Sequence, residues 1–275
     1  MVADAAETRQ LTRAERSEFD RTGLVILRNV LSRPSLDRLT SASDRLIADP
    51  SMPGRQQQAH GVWDSIRNCV AKSADIRHLI SHPRVLSAVV QLMGTNLKIT
   101  TSHVIYRNPD LPGVTSLERV PPWHRDIAHV SQDLGFANTP RLQIKAAYCL
   151  TDLKSANSGG TMFLLGSHVL GRRPAIPQEG DPPGAVEPRL EAGDCVLFEN
   201  RVMHAGARNH SARIRKSIMI AYGFRWLAPA DYRRQPVEVR ADMTDVERFL
   251  VGESIAPGSG FTVGGSSNPL DKFRD

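Results

Sequence analysis

Trp123-His124-Arg125-Asp126 follows a strand-like run and a Pro- and Gly-rich stretch, and its reading orders the rest of the chain. In extended backbone, residues i and i+2 point to the same face. His124 and Asp126 can therefore reach one ion together, while Arg125 points away. Toward the C-terminus, Glu199-Asn200-Arg201-Val202-Met203-His204 supplies a second histidine just past a strand, and Arg215 comes eleven residues later inside the last strand. Two imidazoles and one carboxylate on one side of an octahedral metal leave three positions open. That donor set suits Fe(II), with room for a chelating cosubstrate and dioxygen. A His-x-Asp pair alone occurs often by chance; joined to a distant His and an Arg, it is a much stronger signal. The planar, permanently charged guanidinium suits a carboxylate held bidentately in a buried pocket. Arg213 shares the strand face of Arg215 by parity and competes with it.

Upstream, the pattern is helical. Thr12 and Glu15 form a capping box that opens a short helix ended by Gly23, and Leu24-Val25-Ile26-Leu27 reads as a buried strand. Ser32 and Pro34 start a second helix with Leu36, Leu39, Leu46 and Ile47 on one side. Residues 49–60 read as a loop, and a third helix runs from Pro83 to Met93 with Gly94 just beyond it. After Gly94 the texture turns to strands: Leu97 to Tyr106, Arg141 to Leu150, Thr161 to Leu165, Cys195 to Glu199 and Ile214 to Phe224. Asn157-Ser158-Gly159-Gly160 and Glu191-Ala192-Gly193-Asp194 read as turns. Residues 107–122 and 171–188 form long loops, a length that marks functional segments. The first ten residues and the Gly- and Ser-rich end beyond Gly252 read as loose. Helices first and strands later argue a mainly β core with helical cover.

Composition narrows the class. A chain of 275 residues with 40% hydrophobic content is expected to form a single globular domain over residues 1–275. Its helical cover spans about 11–95, its β core about 97–227 and its loose tail about 252–275. No stretch approaches eighteen unbroken apolar residues and the N-terminus carries no secretion pattern, so a cytoplasmic protein without a membrane span is expected. The three cysteines, Cys69, Cys149 and Cys195, are odd in number and lack CxxC spacing. That argues for reduced thiols, not for a disulfide framework or a zinc knuckle. The net charge is +6, but Lys and Arg are scattered and aromatic residues make up only 5%. The excess therefore reads as a solvated basic surface and not as a nucleic-acid site.

With these residues in view, the sequence resembles the phytanoyl-CoA dioxygenase-like family of Fe(II)/2-oxoglutarate-dependent oxygenases over roughly residues 11–227. His124-x-Asp126 matches the metal motif. Leu150-Thr151-Asp152 with Gly159-Gly160 and Gly166-Ser167-His168 matches the middle signature, and Glu191-Ala192-Gly193-Asp194 with His204 and Arg215 matches the last third. Leu165 stands where the family often has Pro. The resemblance implies a double-stranded β-helix (jelly roll, cupin-like) with flanking helices. It implies Fe(II) on His124, Asp126 and His204, with 2-oxoglutarate chelating the iron and its far carboxylate on Arg215. It also implies O2 as co-reactant, and ascorbate as an aid in vitro. Asp126 is the carboxylate that related halogenases replace, so an oxygenase is expected. The reaction implied is hydroxylation, desaturation or cyclisation of a small molecule in specialised (natural-product) metabolism.

Period-2 alternation puts Gln143, Lys145, Ala147 and Cys149 on one face, and the resemblance turns that face into the barrel. Gln143, Lys145 and the hydroxyl of Thr161 are then candidate contacts for 2-oxoglutarate, or for the substrate. Lys145 and the basic balance favour an anionic substrate. His103 and His129 are further candidates for substrate contact, His168 is expected to be structural, and His210 to face solvent. Trp123 and Phe136 are candidate apolar walls. Three alternatives stand beside this reading: a catalytically silent jelly-roll binder of metal or ligand, an oxygenase acting on a macromolecule, and a cupin-type zinc or manganese enzyme for which His129 is the nearest extra ligand. The sequence leaves the oligomeric state open.

Overall fold

The computed structural model describes residues 9–111, 119–178, 180–253 and 268–274. Ten strands and seven α-helices alternate along these residues. The strands are β1 (Leu24–Leu27), β2 (Arg55–Gln58), β3 (Trp63–Arg67), β4 (Leu97–Arg107), β5 (Gln143–Cys149), β6 (Thr161–Leu164), β7 (Ala185–Val186), β8 (Cys195–Glu199), β9 (Met203–Gly206) and β10 (Arg215–Phe224). The helices are α1 (Arg13–Thr22), α2 (Arg33–Ala48), α3 (Ala74–Arg77), α4 (Pro83–Met93), α5 (Ala128–Leu134), α6 (Val237–Ala241) and α7 (Asp245–Leu250).

Seven strands form one antiparallel sheet in the order β1-β8-β5-β10-β4-β3-β2, and three form a second in the order β7-β6-β9. An isolated antiparallel bridge between His124 and His204 adds a fourth element to the small sheet. This is the expected mainly β architecture, two facing sheets with helices on the outside. Parity decides the faces of the large sheet. Ile144, Ala146 and Tyr148 of β5 and Ile218, Ile220 and Tyr222 of β10 join one buried cluster with Leu36, Leu39 and Leu46 of α2 and Val85, Leu86 and Val89 of α4. Ala147 and Cys149 look the other way, into a smaller cluster with Phe163, Val196 and Phe198 between the sheets. Each buried aliphatic side chain contributes about 1.5–3 kcal/mol, so the helical layer fixes the large sheet and leaves its inner face free for a cavity.

The local signals that predict helices hold. Thr12 and Glu15 make a reciprocal capping box, and Gly23 closes α1 in the left-handed region at φ 84°. A Cβ at Gly23 would also lie 2.2 Å from Val202, so the position needs glycine for space as well as for conformation. Ser32 caps α2, and Pro83 opens α4 ahead of Gly94.

Several expectations are corrected. Residues 55–58, within the expected 49–60 loop, form edge strand β2, and Trp63–Arg67 is a strand that the reading did not place. Arg55-Gln56-Gln57-Gln58 has no apolar alternation because neither of its faces is buried. His204 lies just past strand β8, as expected, but within a further strand, β9, that the reading did not place. Residues 127–140, between the metal motif and β5, contain α5, and α6 and α7 follow the β core. Arg213 is exposed in a bend ahead of β10 and does not share the buried face of Arg215. The expected loose tail is only part of the answer. Residues 254–267 lie outside the described residues, but Leu270 and Phe273 are buried against the main cluster, and Asn268 donates to Thr95 O at 3.1 Å. Of the other loose or looping segments, residues 1–8 and 112–118 lie outside the described residues.

Candidate active site

The His124–His204 bridge brings the metal motif together. Each residue's backbone N–H donates to the other's carbonyl at 2.9 Å, although the two are far apart in sequence. The imidazole centroids are 4.2 Å apart. Both rings are oriented from behind in the same way: His124 Nδ1 lies 2.7 Å from Pro122 O, and His204 Nδ1 lies 2.9 Å from Val202 O. A carbonyl can only accept, so each Nδ1 carries the proton and each Nε2 lone pair is free to ligate. Asp126 completes the group, with Oδ1 3.8 Å from His204 Nε2. One donor atom from each of the three residues falls within 4.8 Å of the others.

The donor set fits an iron ion. Asp126 Oδ2 is buried and has no hydrogen-bond partner, and such an orphaned acceptor calls for a ligand. Burial works against the Asp126 charge, but the Lys145 ammonium and the two imidazoles outweigh it and hold the carboxyl well below its ordinary range. Burial and the neighbouring His124 push His204 down to about 3, so its imidazole is neutral at physiological pH, which is the ligating form. Lys145 Nζ sits 2.7 Å from Asp126 Oδ1. Arg125 turns away as its position between the ligands demands: it is buried, donates to Ser167 O, and lies with Cζ 3.9 Å from the Phe136 ring centroid.

A cavity of about 560 Å³ opens over these ligands, lined among others by Gln143, Lys145, Thr161, Arg215, His103 and His129. Arg215 is 5% exposed. Its guanidinium donates to Gly159 O and Ser217 Oγ, each at 2.5 Å. Burial pushes Arg215 down to about 10, so it remains a cation at neutral pH. Among the described residues no carboxylate forms an ion pair with it. A buried charge without a counter-ion is costly, and the cavity beside it is where an anion would compensate. Gln143 accepts from Thr100 Oγ1 at 2.7 Å, which leaves its amide nitrogen available.

The structure therefore gathers every residue that the sequence marked as a ligand or cosubstrate contact into one cavity, with His103 and His129 at its wall. It separates two others. Trp123 is buried with Met162 and Met203 and donates to Asp181 at 3.2 Å. Phe136 covers Arg125. Neither lines the cavity, because both side chains follow the face of Arg125. His168 is buried, with Nε2 3.1 Å from Asp20 O, the structural role expected, and the His210 side chain is 57% exposed. Sequence reasoning missed Arg67 and Asp231, which meet at the cavity wall across 164 positions of chain; neither lies in a motif.

Gly206 controls the approach of the two ligand segments. A Cβ there would lie 2.0 Å from Val120 O and 3.0 Å from Pro121 Cδ, both in the backbone leading to His124. Gly206→Ala is expected to destabilise the protein by on the order of 3 kcal/mol and to weaken Fe(II) binding, as followed by thermal melts with and without metal.

Comparison with known proteins now decides the family. Residues 19–217 match the family model described as Phytanoyl-CoA dioxygenase (PhyH). The chain belongs to the phytanoyl-CoA dioxygenase family. It is 25% identical over 235 residues to the ectoine dioxygenase of Nocardia farcinica (strain IFM 10152), covering 75% of this chain and 76% of that protein. Its fold is that of SnoN, a non-haem 2-oxoglutarate-dependent epimerase from nogalamycin biosynthesis, with a TM-score of 0.63, 22% identity, and 92% and 94% of the two chains covered. The same fold recurs in HygX from Streptomyces hygroscopicus, whose structure holds nickel, 2-oxoglutarate and hygromycin B, with a TM-score of 0.64, 20% identity, and 84% and 94% covered. By family, this phytanoyl-CoA dioxygenase-like chain is a 2-oxoglutarate-dependent non-haem iron dioxygenase with the jelly-roll core of that class.

Proposed function

We propose that this protein oxidises a small molecule of specialised metabolism, by hydroxylation, desaturation or ring formation. In this reading iron is held by His124, Asp126 and His204, and 2-oxoglutarate by Arg215, with Thr161, Gln143 and Lys145 as further contacts. One observation carries it. Two oriented Nε2 donors and a buried Asp126 oxygen share a cavity with a buried arginine, and among the described residues that oxygen has no hydrogen-bond partner and that arginine forms no ion pair. Iron and 2-oxoglutarate, when bound, supply with O2 the oxidising power that breaks a C–H bond. The chain supplies position. Pro122 O and Val202 O hold the imidazoles in their ligating tautomer, and Arg215 fixes the cosubstrate's far end. Lys145 steadies Asp126 and adds a cation where a dianion must sit. Phe198, whose ring centroid is 4.9 Å from that of His204, walls the site against water on its inner side. The small-molecule reading draws support from relatives whose structures hold nogalamycin RO or hygromycin B.

We take the chain as one oxygenase domain acting in the cytoplasm. Free, buried Cys69, Cys149 and Cys195 suit a reducing compartment, and among the described residues no helix is long and apolar enough to cross a membrane. The test is succinate release with Fe(II), ascorbate and 2-oxoglutarate across a panel of natural-product scaffolds. Substrate-stimulated succinate and a product of changed mass are expected. If 2-oxoglutarate and Fe(II) together give no visible charge-transfer band anaerobically, the protein is instead a silent binder.

A further inference from the structure

The end of the cavity formed by β2, β3 and β4 contains a polar cluster that neither the metal ligands nor the cosubstrate contacts use. At its centre is Asp231, whose side chain is 0% exposed. It accepts from Arg67 Nη1 at 3.0 Å, Thr101 Oγ1 at 2.6 Å, and the backbone N–H groups of Ser102 at 2.8 Å and Asn68 at 3.4 Å. Arg67 Nη1 also lies 2.9 Å from His103 Nε2, Thr101 Oγ1 lies 2.6 Å from the same nitrogen, and Arg67 Nε donates to Gln56 Oε1 at 2.8 Å. His103 is thus clamped through one ring nitrogen, and among the described residues its Nδ1 has no partner. Arg67, Thr101, His103, Gln56, Gln58 and Trp63 all line the cavity. Among the described residues the Gln58 side-chain amide and the Trp63 indole N–H also have no partner.

The charges at this end cancel. Arg67 is matched by Asp231, and the amides carry none. Burial pushes His103 below its ordinary range, although Asp231 opposes the shift, so the ring is neutral at physiological pH. A carboxylate or phosphate placed here would find the Arg67 guanidinium already committed and a buried carboxylate behind it. A cationic group would meet Arg67. What remains is a set of neutral donors and acceptors beside the Trp63 indole, which is 8% exposed, in a cavity whose volume suits a small-molecule ligand. Amide and imidazole groups of this kind match a ring with several hydroxyls.

Resting on the oxygenase reading above, we propose that this wall is the substrate-recognition site, and that it takes the uncharged, hydroxyl-rich ring of a glycoside-like molecule, read by Gln56, Gln58 and His103 beside the largely buried Trp63. This assignment departs from the anionic substrate suggested by Lys145 and the basic balance, because Lys145 is held at Asp126 and Arg67 at Asp231.

The test uses the full chain loaded with Zn(II) and 2-oxoglutarate, and saturation-transfer NMR. The probes are methyl β-D-glucopyranoside and methyl β-D-galactopyranoside, their methyl uronides, and coenzyme A. The neutral glycosides are expected to bind at least tenfold more tightly than the uronides. Gln58→Leu, on the exposed edge strand, and His103→Phe are each expected to weaken that binding at least fivefold, with thermal melts confirming that the variants fold. Tighter binding of a uronide or of coenzyme A, no binding of either glycoside, or glycoside binding untouched in a folded Gln58→Leu protein would each overturn the assignment. Calorimetric 2-oxoglutarate binding is measured on the same wild-type sample. If it fails, the oxygenase reading falls; if it holds while the glycosides fail, only the assignment of this wall falls.

Discussion

Asp126→Ala is expected to abolish substrate-stimulated succinate formation. Asp126 is the one carboxylate among the three candidate ligands, and its Oδ2 is the buried acceptor left without a partner. Loss of a group that merely orients a ligand costs about 10–100-fold in metal affinity or activity; loss of the ligand itself is expected to cost at least about 10³-fold. The variant has a second effect. Lys145 Nζ loses its partner at 2.7 Å and becomes an uncompensated ammonium inside the cavity, a destabilising change. Asp126→Ala combined with Lys145→Met removes both charges. Its melting temperature is expected to recover toward wild type while turnover stays absent, which separates a folding defect from loss of the metal. Wild-type turnover by Asp126→Ala with iron would sink the triad assignment.

Arg215→Gln is expected to raise the KM for 2-oxoglutarate by about a hundred- to a thousandfold, with a smaller effect on kcat. The guanidinium spends two contacts on Gly159 O and Ser217 Oγ and presents the rest of its charge to the cavity. Replacing it with a neutral amide forfeits charge-assisted hydrogen bonds to the cosubstrate's far carboxylate, about 3–4 kcal/mol in all, or two to three powers of ten. Because that contact is the same in the ground state and during reaction, the loss appears in KM. The protein should fold, since the substitution relieves a buried charge. Arg213→Gln is the control. Arg213 is exposed ahead of β10, so its KM should stay within about twofold of wild type, as expected for a surface substitution away from such features. Equal losses at both positions would remove Arg215 from the cosubstrate site.

The helical cover and the central strands were legible because their signals are local. A capping box needs only Thr12 and Glu15, a helix start only Ser32 and Pro34, and a two-faced strand only the alternation from Gln143 to Cys149. Edge strand β2 was not legible, because a strand with both faces largely exposed needs no apolar alternation. The buried Leu270 and Phe273 were hidden for a related reason: a short apolar pair after a Gly- and Ser-rich stretch acquires its role only from the surface it meets.

The sequence by itself marked the candidates: His124 and Asp126 by their spacing, His204 by its type, and, through the family resemblance, Arg215 as the proposed anchor for a dicarboxylate and an inward face carrying Gln143 and Lys145. Residue type and motif suffice there, since candidate ligands differ in kind from their surroundings. Only the tertiary structure decided the surroundings. It placed Lys145 on Asp126, took Trp123 and Phe136 out of the cavity, and joined Arg67, His103 and Asp231 into one wall. Those contacts depend on which strands pair and which segments return to the sheet. That is settled by burial summed over the whole core, and no local stretch of sequence records it.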